Sequence, residues 1–182
     1  MEATTDLLRA AWSDAYLSNE GDSSTMTTTL TPQVIHPFLE SAANILGMFQ
    51  FAPRIGEPAE PAKPLAGKEV ITVIGVTGHM RGQVYTGMSQ KDALKIVSGM
   101  MGGAEVPELN EMALSAISEL ANMICGNAAI HLSQEGVTLD ISPPTIITGN
   151  ALGVVAARLK TTSIPICMDG LDGLEICVAL EV

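Results

Sequence analysis

The sequence predicts an α+β fold, an antiparallel β-sheet packed with two long helices in a pseudo-symmetric repeat. Three observations lead there. Helical and strand patterns fall in separate runs instead of alternating one for one, which favours a segregated antiparallel sheet. Two stretches of helical spacing carry the same spaced pair, Glu40 with Gly47 and Glu119 with Gly126, and each precedes strands. At 182 residues the chain is long enough for one sizeable core and short for two domains.

The elements follow in order. Leu7, Leu8, Ala11, Trp12 and Tyr16 have helical spacing but lead into the polar run 18–25, and Met26 could be a natural start. Residues 1–30 are therefore set apart as an N-terminal extension, with the domain at 31–182. Thr31-Pro32 is a helix start, a capping residue followed by Pro at the first helical position, and that helix runs through Phe49. Six Pro and Gly residues from Pro53 to Gly67 make an extended linker. Glu69–Val76 is a strand by its β-branched content, and Gln83–Met88 returns as its hairpin partner. Ser89 and Asp92 cap a short helix that closes on Gly102-Gly103.

Pro107 is expected to open the longest helix, ending near Leu132. Strands follow at about 137–141, 145–148, 154–159, 164–168 and 174–182, the last alternating as if one side faced solvent. Asp169-Gly-Leu-Asp-Gly173 reads as the final hairpin turn.

Composition excludes several functions. Hydrophobic residues make up 47% of the chain and charged ones 16%, a packed globular balance. The net charge of -11, with Lys and Arg scattered singly, argues against nucleic acid or an anionic membrane as partner. Cys125, Cys167 and Cys177 form no CxxC pair and have no ligand spacing with the three His, so structural zinc is not expected and reduced core thiols are. No apolar run reads as a membrane span, and no basic-then-apolar leader is present, so a cytoplasmic protein is expected. Gly99-Met-Met-Gly-Gly103 follows a helix and lacks the Lys-Ser/Thr of a phosphate loop.

The informative segment is Ser115–Gly126. At about 100° per residue, Ser115, Glu119, Asn122 and Gly126 fall on one narrow stripe. Leu114, Ile117, Ala121, Ile124 and Ala128 lie opposite and supply a buried face. A carboxylate and a carboxamide one turn apart, on an outward face, are placed to meet another surface. Gly126 either permits close docking or lets this helix pack on the first through Gly47, the second being the expectation here. Ser115 either orients the stripe or bonds a preceding carbonyl. In the first helix Ala43 stands where Asn122 stands, so only the second half carries the full stripe.

Several separated segments together resemble the CheC/CheX/FliY family of chemotaxis phosphatases, with CheX the nearest pattern. They are His36–Ser41, Gly75–Val84, Met88–Val97, Glu119–Asn127 and Pro143–Gly149, and the resemblance spans about 31–182. It implies a phosphatase acting on a phosphorylated CheY-type response regulator, with Glu119 and Asn122 at the catalytic positions and Ser115 where Asp or Ser often stands. It implies a homodimer built through the sheet. It implies no cofactor of its own, with Mg²⁺ on the regulator. Hydrolysis of an aspartyl phosphate needs an in-line water, and one carboxamide offers both a donor and an acceptor to place it. Glu119 would pair with a regulator lysine. The alternative is a binding module that holds the phosphorylated regulator without turnover.

Overall fold

The structure, a computed structural model, describes residues 32–60, 64–154, 159 and 161–181. The N-terminal extension lies outside the described residues. The first helix, α1 (Pro32–Met48), begins at the Pro the sequence points to. Its apolar positions Val34, Ile35, Phe38, Leu39, Ala42, Ile45 and Leu46 repeat at helical spacing and are all buried. It stops where Gln50 takes a left-handed φ of 66°. There Gln50 N–H donates to Gly47 and Phe51 N–H to Leu46 (3.0 and 3.1 Å), a Schellman closure.

Among the described residues, seven strands form one antiparallel sheet. They are β1 (Arg54–Ile55), β2 (Lys68–Gly78), β3 (Arg81–Met88), β4 (Leu139–Ile141), β5 (Thr145–Leu152), β6 (Thr162–Met168) and β7 (Leu171–Glu181). Two further helices, α2 (Gln90–Met100) and α3 (Glu111–Gln134), complete the fold. The order β1-β6-β7-β3-β2 continues into β4 and β5, which share one edge of β2 end to end. Read from either side it runs edge, hairpin, hairpin, edge, with β3 and β7 paired at the centre. This is the pseudo-symmetric repeat in backbone form.

The core lies between the helices and the sheet face carrying Val70, Ile74, Val84, Met88, Ile164, Ile166, Ile176 and Val178. Thr72 and Thr86 point into it as a cross-strand pair and satisfy each other, Oγ1 to Oγ1 at 2.6 Å. Asp92 is fully buried and links layers by accepting from Gly173 N–H at 3.1 Å. Gly173 stands inside β7, at the register shift in its pairing with β6. It has a φ of 94°, and a Cβ would lie 2.2 Å from the Ile166 carbonyl oxygen.

Four expectations need correction. The last strand does not expose one side, because its second face is covered. Cys177 and Ala179 there join Leu65, Ile71 and Tyr85 in a smaller cluster, with Val73, Leu152, Val154 and Leu159 packed against it. The Pro-rich linker is more than a linker, since β1 pairs with β6 and Ala59 bridges Ser163. The longest helix starts four residues past Pro107, at Glu111. Asn110 is the stronger start, its Oδ1 accepting from Ala113 N–H at 3.0 Å. Of the strand expected at 154–159, Val154 and Leu159 lie outside any strand, and 155–158 fall outside the described residues.

The final turn is also shorter than its sequence suggests. Met168 pairs with Leu171 across Asp169-Gly170 alone, with Gly170 at a φ of 76°. By length and composition α3 would pass for a membrane-crossing helix, contrary to the sequence reading. Its Ala, Ile, Leu and Met raise hydropathy on both faces, while its inner face is spent on the core.

Candidate active site

Helix α3 is fixed at both ends. Asn110 caps its start, and Glu111 places a carboxylate in the first turn, where the helix dipole favours it. At its end Gly136, with a φ of 87°, donates to Ser133 while Val137 donates to Leu132 (3.1 and 2.8 Å), the closure already seen in α1. Between the caps, Ala113, Ile117, Leu120, Ala121, Ile124, Cys125, Ala128 and Leu132 are buried. Leu114, expected on that face, is half-buried.

The buried face dictates the outward one. Ser115 and Glu119 are exposed, and Asn122 and Gly126 are half-buried at the rim of the same stripe. Glu119 and Asn122 are separated by ~4.5 Å of axial rise, less than one turn. Among the described residues neither takes part in an ion pair or side-chain hydrogen bond. Ser115 likewise makes no side-chain bond, so the expected bond to a preceding carbonyl is not seen. The expected packing of Gly126 against Gly47 is wrong. A Cβ built on either would meet nothing within 4 Å, because both glycines face open space.

The equivalent carboxylate of the first half is differently placed. Glu40 Oε2 lies 3.7 Å from His36 Nδ1 on its own helix and 3.9 Å from His131 Nδ1 on α3. Glu40 therefore turns toward the seam between α1 and α3, whereas Glu119 stands clear. With Ala43 in place of the carboxamide, α1 has neither group free to present. His36 and His131 were not drawn together by sequence reasoning, since nothing local links positions so far apart.

Two apolar side chains were also missed. Met112 and Ile130 are 44% and 57% exposed. They lie on the stripe, at seven residues before Glu119 and four after Gly126. Extending the helical wheel past both ends of the motif would have found them.

Two open depressions, about 740 and 400 Å³, are lined by residues such as Glu69 and Gln90, and by none of Ser115, Glu119, Asn122 or Gly126. A convex helix face with free polar groups suits a macromolecular surface better than an enclosed small molecule. Among the described residues no group of three or more His, Cys, Asp or Glu side chains is arranged to hold a metal.

Comparison with known proteins places the chain in a family. Residues 70–167, which contain the stripe, match the family described as chemotaxis phosphatase CheX. The chain belongs to the CheX family. It is 37% identical over 129 residues to the CheY-P phosphatase CheX of Thermotoga maritima, covering 71% of this chain and 81% of that one. The fold is shared with a CheC-like superfamily protein from Shewanella sp. PV-4, at a TM-score of 0.76 and 24% identity over 84% of this chain and 100% of that one. It is also shared with a chain of the CheX–CheY–BeF3–Mg complex of Borrelia burgdorferi, at 0.71 and 22% over 82% and 98%.

Beneath the stripe, burial pushes the Cys125 thiol up to about 12, and burial likewise holds Cys177, on the sheet's second face, at about 12. Cys167 is exposed, so only two of the three thiols are core groups. Both raised thiols keep their protons in the folded state at a pH where unfolded thiols have lost them. The stability they contribute is whole below about pH 8.5 and declines as pH climbs toward 12, by roughly 1 kcal/mol per pH unit for each thiol. Urea midpoints measured at pH 8, 9 and 10 should fall, and a Cys125→Ala, Cys177→Ala double variant should fall less steeply.

Proposed function

We propose that this protein is a phosphatase that hydrolyses the aspartyl phosphate of a CheY-type response regulator, with the outward stripe of α3 as its working surface. The observation that carries the reading is the pair Glu119 and Asn122, projecting from a rigid, doubly capped helix with no partner among the described residues. Its family, and the CheY-P phosphatase activity named for the Thermotoga relative, support it. So does the Borrelia complex, in which a protein of this fold is held with CheY.

In the reaction, water adds to phosphorus while the bond from phosphorus to the regulator's carboxylate oxygen breaks. The carboxylate leaves with that electron pair, and the water's proton ends on the phosphate. Little covalent help is needed, so the protein's task is to place the water. The Asn122 carboxamide accepts a hydrogen bond from that water and donates one toward the phosphoryl group. Glu119 pairs with a regulator lysine and fixes the approach. The phosphoryl charge is neutralised by a Mg²⁺ carried on the regulator. Such a substrate places the protein in the cytoplasm.

The homodimer implied by the resemblance fits β5. This edge strand pairs only with β2 among the described residues and exposes Thr145, Ile147 and Thr148. Sedimentation at twice 19.0 kDa is expected, and a monomer at micromolar concentration would contradict it.

The phosphatase reading is tested on a phosphorylated CheY-type receiver. Asn122→Ala is expected to slow dephosphorylation at least a hundredfold, about the loss that mispositioned water causes, with an unchanged melting temperature. Glu119→Ala should raise KM more than it lowers kcat. A full-rate Asn122→Ala variant would exclude this mechanism. A phosphate-dependent complex with unaltered phosphate lifetime would instead assign the fold to binding without turnover.

A further inference from the structure

Gly126 is a residue that the chain's own packing gives no reason to keep. It stands in the interior of α3, well away from Asn110 and Gly136, and its φ is not left-handed. Glycine is among the poorest residues for such a position. Where glycine is needed inside a helix of this fold, the cause is visible: a Cβ on Gly99 of α2 would lie 2.7 Å from the Phe51 ring. At Gly126 a Cβ would meet no atom within 4 Å. The residue is half-buried, with open space where a Cβ would project, one turn past Asn122.

Its neighbours along the stripe supply the second observation. Met112, Glu119, Gly126 and Ile130 fall within roughly 40° of one another around the helix axis. Ile130 is 57% exposed, one turn beyond the glycine, and Met112 lies at the other end of the stripe. A free carboxylate with bare backbone and an exposed apolar side chain beyond it has the make-up of a contact surface, a charged anchor beside apolar area. The outer side of α2, by contrast, carries Lys91 and Lys95.

We infer that Gly126 is where the receiver domain closes on α3, nearer than any Cβ would allow, and that Ile130 supplies the apolar contact that seats it. The inference rests on the activity proposed above and deepens it. The occupant is the receiver, because a protein of this fold is held with CheY in the Borrelia complex and the Thermotoga relative is named a CheY-P phosphatase. The closure at Gly126 sets how far Asn122 reaches toward the phosphoryl group. Gly126 and Ile130 are thus specificity-determining positions of the interface, and the chemistry stays with Asn122.

The test compares wild type with Gly126→Ala, Gly126→Leu, Ile130→Ser and Asn122→Ala on a phosphorylated CheY-type receiver, with thermal melts of each. Gly126→Ala should melt no lower than wild type, since it fills empty space with a better helix former. It should nevertheless raise KM for the receiver by about fivefold or more, with Gly126→Leu worse and Ile130→Ser in the same direction. Wild-type KM and kcat for Gly126→Leu, with Asn122→Ala inactive, would overturn this inference and leave the activity standing. A lowered melting temperature for Gly126→Ala would show that the fold needs the glycine, and would also overturn it. Altered self-association with unchanged KM would give the stripe to a second copy of the chain instead. If wild type leaves the phosphate lifetime unaltered, the activity itself fails, which the Asn122→Ala comparison keeps distinct.

Discussion

The burial of one face of α3 is the constraint from which the rest of the structure follows. Eight of its side chains, from Ala113 to Leu132, are buried. Removing Ile117, Leu120, Ile124 and Leu132 among them from water is worth about 1.5–3 kcal/mol each, which fixes the rotation of the helix about its axis. Once that face is committed, the positions opposite have nowhere to go but outward. Glu119 and Asn122 are presented because Ile117, Leu120, Ala121 and Ile124 are hidden. The caps at Asn110 and Gly136 then hold the helix in length and register, so the polar pair sits on a rigid support.

The fold is nearly symmetric, and the proposed site lies where the symmetry fails. Each half offers a long helix closed in the same way and a hairpin, and the two hairpins join through β3 and β7. The first half nonetheless keeps its carboxylate occupied, with Glu40 facing two histidines, one of them on α3. Such a half-exposed arrangement contributes little to stability. Its consequence is positional: it turns the first helix's acidic group toward its neighbour. A partner approaching the paired helices meets one complete polar stripe, not two.

Much of this was legible in the sequence, for identifiable reasons. The Pro at the start of α1, the Ser89 cap of α2 and the two faces of α3 each depend on residues within a few positions of one another. The stripe is equally local, so Glu119 and Asn122 could be placed outward from spacing alone. What escaped was set by distant contacts. β7 reads as half-exposed until Leu65 and the segment after β5 are seen to cover its second face. The Pro-rich segment reads as a linker until β6 offers it an edge to pair with. Gly126 and Gly47 suggested helix packing because their spacing matched, yet neither lies in the seam between the helices. Pro107 misled about where α3 begins, since a Pro near a helix start is weaker information than an Asn able to reach the third N–H.

Contact between the outward face of α3 and the regulator can be mapped residue by residue. Backbone amide resonances of this protein would be followed while a CheY-type receiver, activated with beryllofluoride and Mg²⁺, is added. Perturbations are expected to follow Ser115, Glu119, Asn122, Gly126 and Ile130 on α3. Perturbations confined to the outward side of α1 or to the edge strand β5, with α3 silent, would rule that contact out.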